Sequence, residues 1–299
     1  MAALAAIALL GLGCSGASVA GPPADTPGAS LPPSTSAPSA TPRPTPAATP
    51  HTAVRPFASL GGYLAHRSGH VTAALYDART KEIWLLHPGF VQATASIVKV
   101  QIMGTALAEA EAAHRDLSST QTALMMSMIE NSSNSSATTL LADVGGPRAI
   151  GRFDRSIGMK HTTPSTLALI PGTTLPGWGL TTTTALDEVT LISKFAYANS
   201  ALSDAARKYG LGLMESVEAD QNWGVTGGVP AGTTVALKNG WVPIPPSNYW
   251  QVNSIGWISG HGRDYVLAVL TDGNPDEPYG IATIETIARA VYADLGRDR

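Results

Sequence analysis

Two stretches of alternating apolar residues, Val71 to Asp77 and Glu82 to Leu86, and three more near the other end, Thr233 to Lys238, Trp250 to Ile258 and Tyr265 to Thr271, bracket a long helix-periodic stretch from Ser96 to about Gly212. Strands at both ends with helices between them imply an α+β domain, an antiparallel sheet plus an all-helical lobe. Ala78-Arg79-Thr80-Lys81 separates the first two runs as the turn of a hairpin. Near the C-terminus, Ile281, Ile284, Ile287, Ala288, Val291 and Leu295 fall on one helical face, which reads as a helix packed over the sheet. No internal repeat is visible, and residues 53–299 are read as one globular unit whose two lobes share a cleft.

Upstream of that unit the composition changes. Residues 15–52 are Pro, Ala, Ser, Thr and Gly with almost no large apolar side chain. Such a segment buries too little surface to offset the entropy of ordering, so it reads as a disordered tether, extending about 3 Å per residue where proline-rich. Residues 1–14 hold the one apolar run of this region, Met1 to Leu12, too short to span a bilayer. It ends in Leu10-Gly11-Leu12-Gly13-Cys14-Ser15, which resembles a bacterial lipoprotein signal in which Cys14 carries the lipid. Gly11 stands where such signals carry a branched apolar residue, and no Lys or Arg precedes the run. An ordinary secretory signal cleaved elsewhere is the alternative. Cys14 is the sole cysteine, so it serves no internal disulfide. The expectation is export from a bacterial cell, to the outer face of the cytoplasmic membrane or beyond, with membrane contact through the lipid anchor only.

The formal net charge of −3, with 14% charged residues, excludes a basic nucleic-acid binder. His70, His87, His114, His161 and His261 show no zinc-site spacing, so no metal and no cofactor is expected. Trp178, Trp223, Trp257 and Tyr265 read as packing residues.

The chemistry concentrates at Ser96 and Lys99. Residues i and i+3 share a helical face, so Lys99 can place its amine beside the Ser96 hydroxyl. A lysine desolvated near another cation loses its proton near neutral pH and can activate the serine. Alone the pair is weak, because roughly one Ser-x-x-Lys is expected by chance in a chain this long; a solvated lysine beside a helix-start serine would look the same. Downstream, however, Ser132-Ser133-Asn134 interrupts a helical run that then resumes, and Lys238-Asn239-Gly240-Trp241 ends an alternating strand. In this order the three motifs resemble the signature of the penicillin-recognising serine enzymes, the class A β-lactamases and penicillin-binding proteins. The paired strands around Ala73–Asp77 and Lys81–Trp84, Gly145-Gly146-Pro147, and the helix opening Leu180 to Ala185 are similar to that family in the same order. The resemblance covers about the whole folded part and implies an antiparallel sheet flanked by N- and C-terminal helices.

It also implies roles. Ser96 would attack a carbonyl and form an acyl-enzyme, with its own N–H and that of Trp241 stabilising the oxyanion, and Gly240 giving that backbone room. Lys99 would be base or proton relay, and Ser132 would pass a proton to the leaving nitrogen. Asn134 would hold Lys99 and a substrate amide. Lys238 would attract a substrate carboxylate, with Asn239 at the carboxylate-binding position in place of the family's Thr or Ser. Helix capping is the alternative for Ser132 and Asn134. Ser133 replaces a common aspartate, and the stretch between Lys99 and Ser132 is shorter than in class A.

One absence bears on turnover. No glutamate lies between Glu130 and Glu188, the span where class A enzymes keep the base that activates deacylating water; Met159 to Thr166 offers none, and Asp154 is the only nearby carboxylate. Slow deacylation follows from this loss. The sequence therefore supports a serine acyl hydrolase or transferase acting on β-lactams or cell-wall D-alanine-type peptides. The alternative is a catalytically degenerate envelope lipoprotein that binds a peptidoglycan peptide or a protein partner.

Overall fold

The computed structural model describes residues 50–52 and 56–296. Cys14, the lipoprotein signal and residues 15–49 of the tether lie outside the described residues. The chain runs β1 (Pro50–Thr52), α1 (Gly61–Leu64), β2 (Val71–Asp77), β3 (Glu82–Leu86), β4 (Gln92–Ala93), α2 (Val98–Ala112), α3 (Ser119–Glu130), α4 (Asn134–Asp143), α5 (Gly146–Ile157), β5 (Thr182–Thr183), α6 (Ala185–Ala196), α7 (Asp204–Glu215), β6 (Thr234–Ile244), β7 (Tyr249–Gly260), β8 (Arg263–Asn274) and α8 (Glu277–Asp294).

The main sheet has the order β1-β3-β2-β8-β7-β6. The five strands from β3 to β6 pair antiparallel, as the strand and helix order implies. β1, formed by the last residues of the segment read as a tether, adds a parallel edge strand with Pro50 opposite Ile83. The first hairpin has the expected limits, with Tyr76 opposite Ile83. The three late strands are longer than their alternating patterns. β6 does not end at Lys238-Asn239-Gly240 but continues through Pro243 to Ile244. Because β6 is the edge strand, a proline that cannot donate to a ladder is tolerated there, although it interrupts the sequence pattern.

Each face of the sheet is covered. On one, Leu75, Val252, Leu267 and Val269 pack with Ile284, Ile287 and Val291 of α8. Asp276 caps α8 by accepting the Tyr279 N–H. On the other face, Ala74, Ala236, Ile255 and Val266 meet the helical lobe. At the centre of that lobe α2 is buried on nearly every side, with Val98, Val100, Ile102 and Met103 at most 1% exposed. An all-round apolar helix belongs in such a position.

Two stretches depart from the sequence expectation. Where the resemblance implies an N-terminal helix, the described residues hold only a 3₁₀ turn, Ala58–Leu60, and the single turn of α1, which contains Gly61 and Gly62, both poor helix formers. The helical stretch is also broken between α5 and α6, where residues 158–184 form a folded loop rich in Thr, Pro and Gly, joined by bridges Thr163 to Thr182 and Leu169 to Pro176. Asp187 anchors the start of that loop, accepting from the N–H groups of Lys160 and His161 and from the Thr162 hydroxyl.

Candidate active site

Ser96 lies in a 3₁₀ turn, Ala95–Ile97, that leads into α2. The sheet fixes this turn from two strands. Asn253 of β7 donates to the carbonyls of Ala93 and Thr94 at 2.8 and 3.0 Å. Gly240 of β6 lies so close that a Cβ there would fall 2.6 Å from the Ser96 backbone nitrogen. The missing side chain thus seats the Ser96 turn against the sheet. Ala95 is left-handed, with φ of 47°, a conformation that costs a non-glycine residue of order 1–2 kcal/mol and is held by these contacts.

One helical turn on, the Lys99 amine is fully buried. Its Nζ is 2.9 Å from Ser96 Oγ, 3.0 Å from Ser132 Oγ, 2.6 Å from the Ser132 carbonyl oxygen and 2.9 Å from Asn134 Oδ1. Burial, reinforced by the charge of Lys238, lowers the Lys99 pKa to about 6. At pH 7 the amine is therefore mainly neutral, with two N–H groups for the Ser132 carbonyl and Asn134 and a lone pair for a hydroxyl proton. Ser132 reaches this cluster from the break between α3 and α4, in a left-handed conformation with φ of 53°. Ser133, at the position of the family's aspartate, caps α4 by accepting from the Ser136 N–H.

The Lys238 side chain is also fully buried. Its Nζ donates to Gln221 Oε1 at 3.3 Å and to the Asn239 carbonyl at 3.2 Å, and burial lowers its pKa to about 7. Asn239 faces away from Ser96. Its Nδ2 donates to the carbonyls of Gln221 and Trp223 at 2.7 and 3.1 Å, and no part of it is exposed. Its amide ties β6 to the preceding loop, because the strand alternation that aims Lys238 at the helical lobe aims Asn239 the other way.

A cavity of about 50 Å³ opens beside Ser96. Asn134 and Trp241 line it, together with Ile170, Leu175, Trp178 and Val242. Trp178, read from sequence as a packing residue, also sits over the cluster. Its ring centroid is 5.1 Å from Lys99 Nζ, and its Nε1 donates to the Thr138 hydroxyl at 3.0 Å. The flanking glycines are the one sequence signal for this placement, since a Cβ at Gly177 would fall 2.2 Å from the Leu167 carbonyl oxygen. Gln221 and Asn253 act through backbone and amide contacts that leave no recognisable sequence pattern.

No lining residue of this cavity carries a carboxylate. Asp154 is buried elsewhere, near Asp187 and Glu188, its oxygens without hydrogen-bond partners and its pKa raised by burial to about 7. Burial also raises Glu188 well above the usual carboxylate range. Among the described residues no group of three or more His, Cys, Asp or Glu is placed to hold a metal ion.

The structure thus brings Ser96, Lys99, Ser132 and Asn134 into direct contact. Lys238 is near enough for its charge to lower the Lys99 pKa, Gly240 is against the Ser96 nitrogen, Trp241 borders the cavity, and Asn239 is turned away. The fold is similar to that of a class A β-lactamase from Bacteroides cellulosilyticus, at 18% identity and a TM-score of 0.71, covering 81% of this chain and 98% of that one. The TLA-1 extended-spectrum β-lactamase is alike at 19% identity and a TM-score of 0.71, over 80% of this chain and 98% of that one. An ancestral class A β-lactamase of Gram-negative bacteria matches at 21% identity and a TM-score of 0.68, over 80% and 99%. No curated protein matches the sequence. The model of the Beta-lactamase enzyme family matches residues 119–295, more than half of the chain, taking in Ser132, Asn134 and Lys238 and beginning after Ser96 and Lys99. With that match added to the class A fold, the chain belongs to the β-lactamase enzyme family.

Proposed function

We propose that this protein is a serine acyl hydrolase or transferase that forms an acyl-enzyme at Ser96 with a β-lactam or a cell-wall D-alanine-type peptide, and releases it slowly. The observation that carries this reading is the neutral Lys99 amine 2.9 Å from the Ser96 hydroxyl and 3.0 Å from that of Ser132. As Ser96 Oγ attacks the carbonyl carbon, its proton passes to Lys99 Nζ; the carbonyl C–N bond then breaks and Ser132 Oγ hands a proton to the leaving nitrogen while taking one from Lys99. Asn134 orients Lys99 and offers its exposed amide to the substrate. The Ser96 and Trp241 N–H groups are the oxyanion donors of this reading, and Lys238 supplies positive charge behind Ser132.

Deacylation needs a water with a base beside it. No residue lining the cavity next to Ser96 carries a carboxylate, so a water there has no carboxylate to take its proton. Incubation with benzylpenicillin should add one penicilloyl mass to the wild-type protein, located on the Ser96 peptide, and nothing to Ser96→Ala.

A second reading, a binding lipoprotein that keeps the cleft without the chemistry, is favoured by one observation: the buried Asn239 donates its Nδ2 hydrogens to the Gln221 and Trp223 carbonyls and not to the cleft. Saturable binding of a muropeptide without any Ser96 adduct would replace the first reading with this one. The proposed address is the cell envelope, through a lipid on Cys14. Labelled fatty acid should enter the wild-type protein and not Cys14→Ala, and equal labelling of both would overturn it.

A further inference from the structure

The Lys99 amine is held from one side and covered from another. Ser96 before α2, and Ser132 and Asn134 at the break before α4, supply the hydrogen-bond partners of Nζ. The cover comes from the loop between α5 and α6: the Trp178 ring, with its centroid 5.1 Å from Nζ. Trp178 is 7% exposed and also walls the cavity beside Ser96, whereas Lys99 does not line that cavity. The indole thus stands between the open space and the amine. Its direction is fixed twice. Thr138, one turn along α4 from Asn134, accepts the Nε1 hydrogen at 3.0 Å. Gly177 lets the loop close on the Leu167 carbonyl, where a Cβ would fall 2.2 Å from the oxygen. One face of α4 therefore holds the amine through Asn134 and the ring that covers it through Thr138.

We infer that Trp178 is a positioning residue for the proton transfer: its ring, held by Thr138, screens the Lys99 amine from water and so keeps it able to take the Ser96 proton. This rests on the acyl-enzyme reading. Water stabilises an ammonium far more than an amine, so water admitted to Nζ would favour the protonated form, which has no lone pair to offer. The space left without the indole would be bordered by Nζ, the Asn134 amide and the Thr138 hydroxyl, partners enough to hold a water. The ring face also attracts a cation, an effect of opposite sign. Burial is the largest cause of the lowered Lys99 pKa, so loss of the cover outweighs loss of that attraction. The groups set against the amine from α2, the break before α4, α4 and the loop carry no charge, and Lys238 of β6 is the charge that bears on it.

The test takes two readouts on the full chain. The Lys99 titration is followed by NMR of protein labelled in its lysine side chains, with the signal assigned through Lys99→Ala. Acylation of Ser96 by benzylpenicillin is followed by intact-protein mass spectrometry between pH 5 and 9. Trp178→Ala should raise the Lys99 midpoint by about one unit or more, and Trp178→Phe, which restores a ring, should return it most of the way. Acylation of Trp178→Ala should fall roughly five- to tenfold at pH 6 and by a much smaller factor at pH 9, whereas a displaced Ser96 would lose the same factor at both. Should Trp178→Ala not fold, Thr138→Val, at an exposed position of α4, frees the indole and should move the midpoint the same way by a smaller amount. A midpoint that stays or falls in the variant that folds, or equal losses at pH 6 and pH 9, would overturn the screening role while leaving the acyl-enzyme reading intact. Absence of any Ser96 adduct in the wild type at every pH would remove the acyl-enzyme reading and the role in proton transfer with it, whatever the midpoint does.

Discussion

The two sides of Ser96 differ in chemistry. Toward Ser132 the hydroxyl meets a polar cluster centred on the buried Lys99 amine, whose Nζ lies within 3.0 Å of two hydroxyls, a carbonyl and an amide oxygen. Toward the loop between α5 and α6 it meets Ile170, Leu175, Trp178 and Val242 around a cavity without a carboxylate. A buried polar network is costly unless every member is satisfied, so the first side is organised in advance for proton transfer. The second side offers no carboxylate to a water. In the proposed function, one half of the site would make an acyl-enzyme and the other half, without a carboxylate, would keep it.

The largest effect is expected on the polar side. Lys99→Ala should lower the rate of Ser96 acylation by roughly 10²- to 10⁴-fold, the usual contribution of a positioned base, with circular dichroism reporting the fold. A loss under about threefold would mean that the polar cluster does not activate Ser96.

Asp154→Asn sharpens the comparison by separating a buried acid from the site. A carboxyl whose pKa rises from 3.8 to about 7 on folding holds a proton that the unfolded chain releases. Its stabilising contribution is complete below pH 3.8 and is lost as pH rises toward 7. The shift of about three units corresponds to about 4 kcal/mol, so in denaturant titrations at pH 8 the Asn variant should be more stable by up to that amount, and its stability should vary less between pH 5 and 8. Adduct lifetime should be unchanged. A shortened or lengthened lifetime would make Asp154 part of the chemistry.

Leu175→Glu puts a carboxylate on the apolar side. Deacylation should accelerate by roughly tenfold or more, read as loss of the adduct after removal of free penicillin, while acylation changes less. An unchanged lifetime would mean that the missing base is not what limits release.

The smallest effect concerns pH. Acylation should rise about tenfold per pH unit below 6 and level off above, as Lys99 becomes neutral. Because the charge of Lys238 helps hold the Lys99 pKa down, Lys238→Met should move this limb to higher pH. A limb that stays in place would uncouple the two lysines.

Much of this arrangement is legible in the sequence. The hairpin from Val71 to Leu86 and the helix of Ile284, Ile287 and Val291 follow from periodicity, the strands from their alternation and the helix from the single apolar face it lays on the sheet. Ser96 and Lys99 meet because a helical turn brings i and i+3 together, and the Ser132 break is visible as polar residues between two apolar runs. Less legible is what depends on long-range contact. Trp178 reaches Lys99 through a loop whose course is set by Asp187 and by close backbone approach at Gly177, neither of which has a periodicity. Asn239 falls in the right place in the motif, yet its direction follows from strand alternation and from the loop carbonyls of Gln221 and Trp223. Resemblance placed this residue in the chain but not the face it occupies.

The central claim, that Ser96 acylates readily and releases slowly, is tested most directly by a pulse and chase. The pure protein is loaded with benzylpenicillin, free drug is removed, and the Ser96 adduct is followed by intact mass, beside a steady-state nitrocefin assay. The account predicts one adduct per chain that outlasts its formation time by at least about 10²-fold, with little nitrocefin turnover. Rapid, repeated nitrocefin hydrolysis with no accumulating adduct would contradict it and require a base on the apolar side of Ser96.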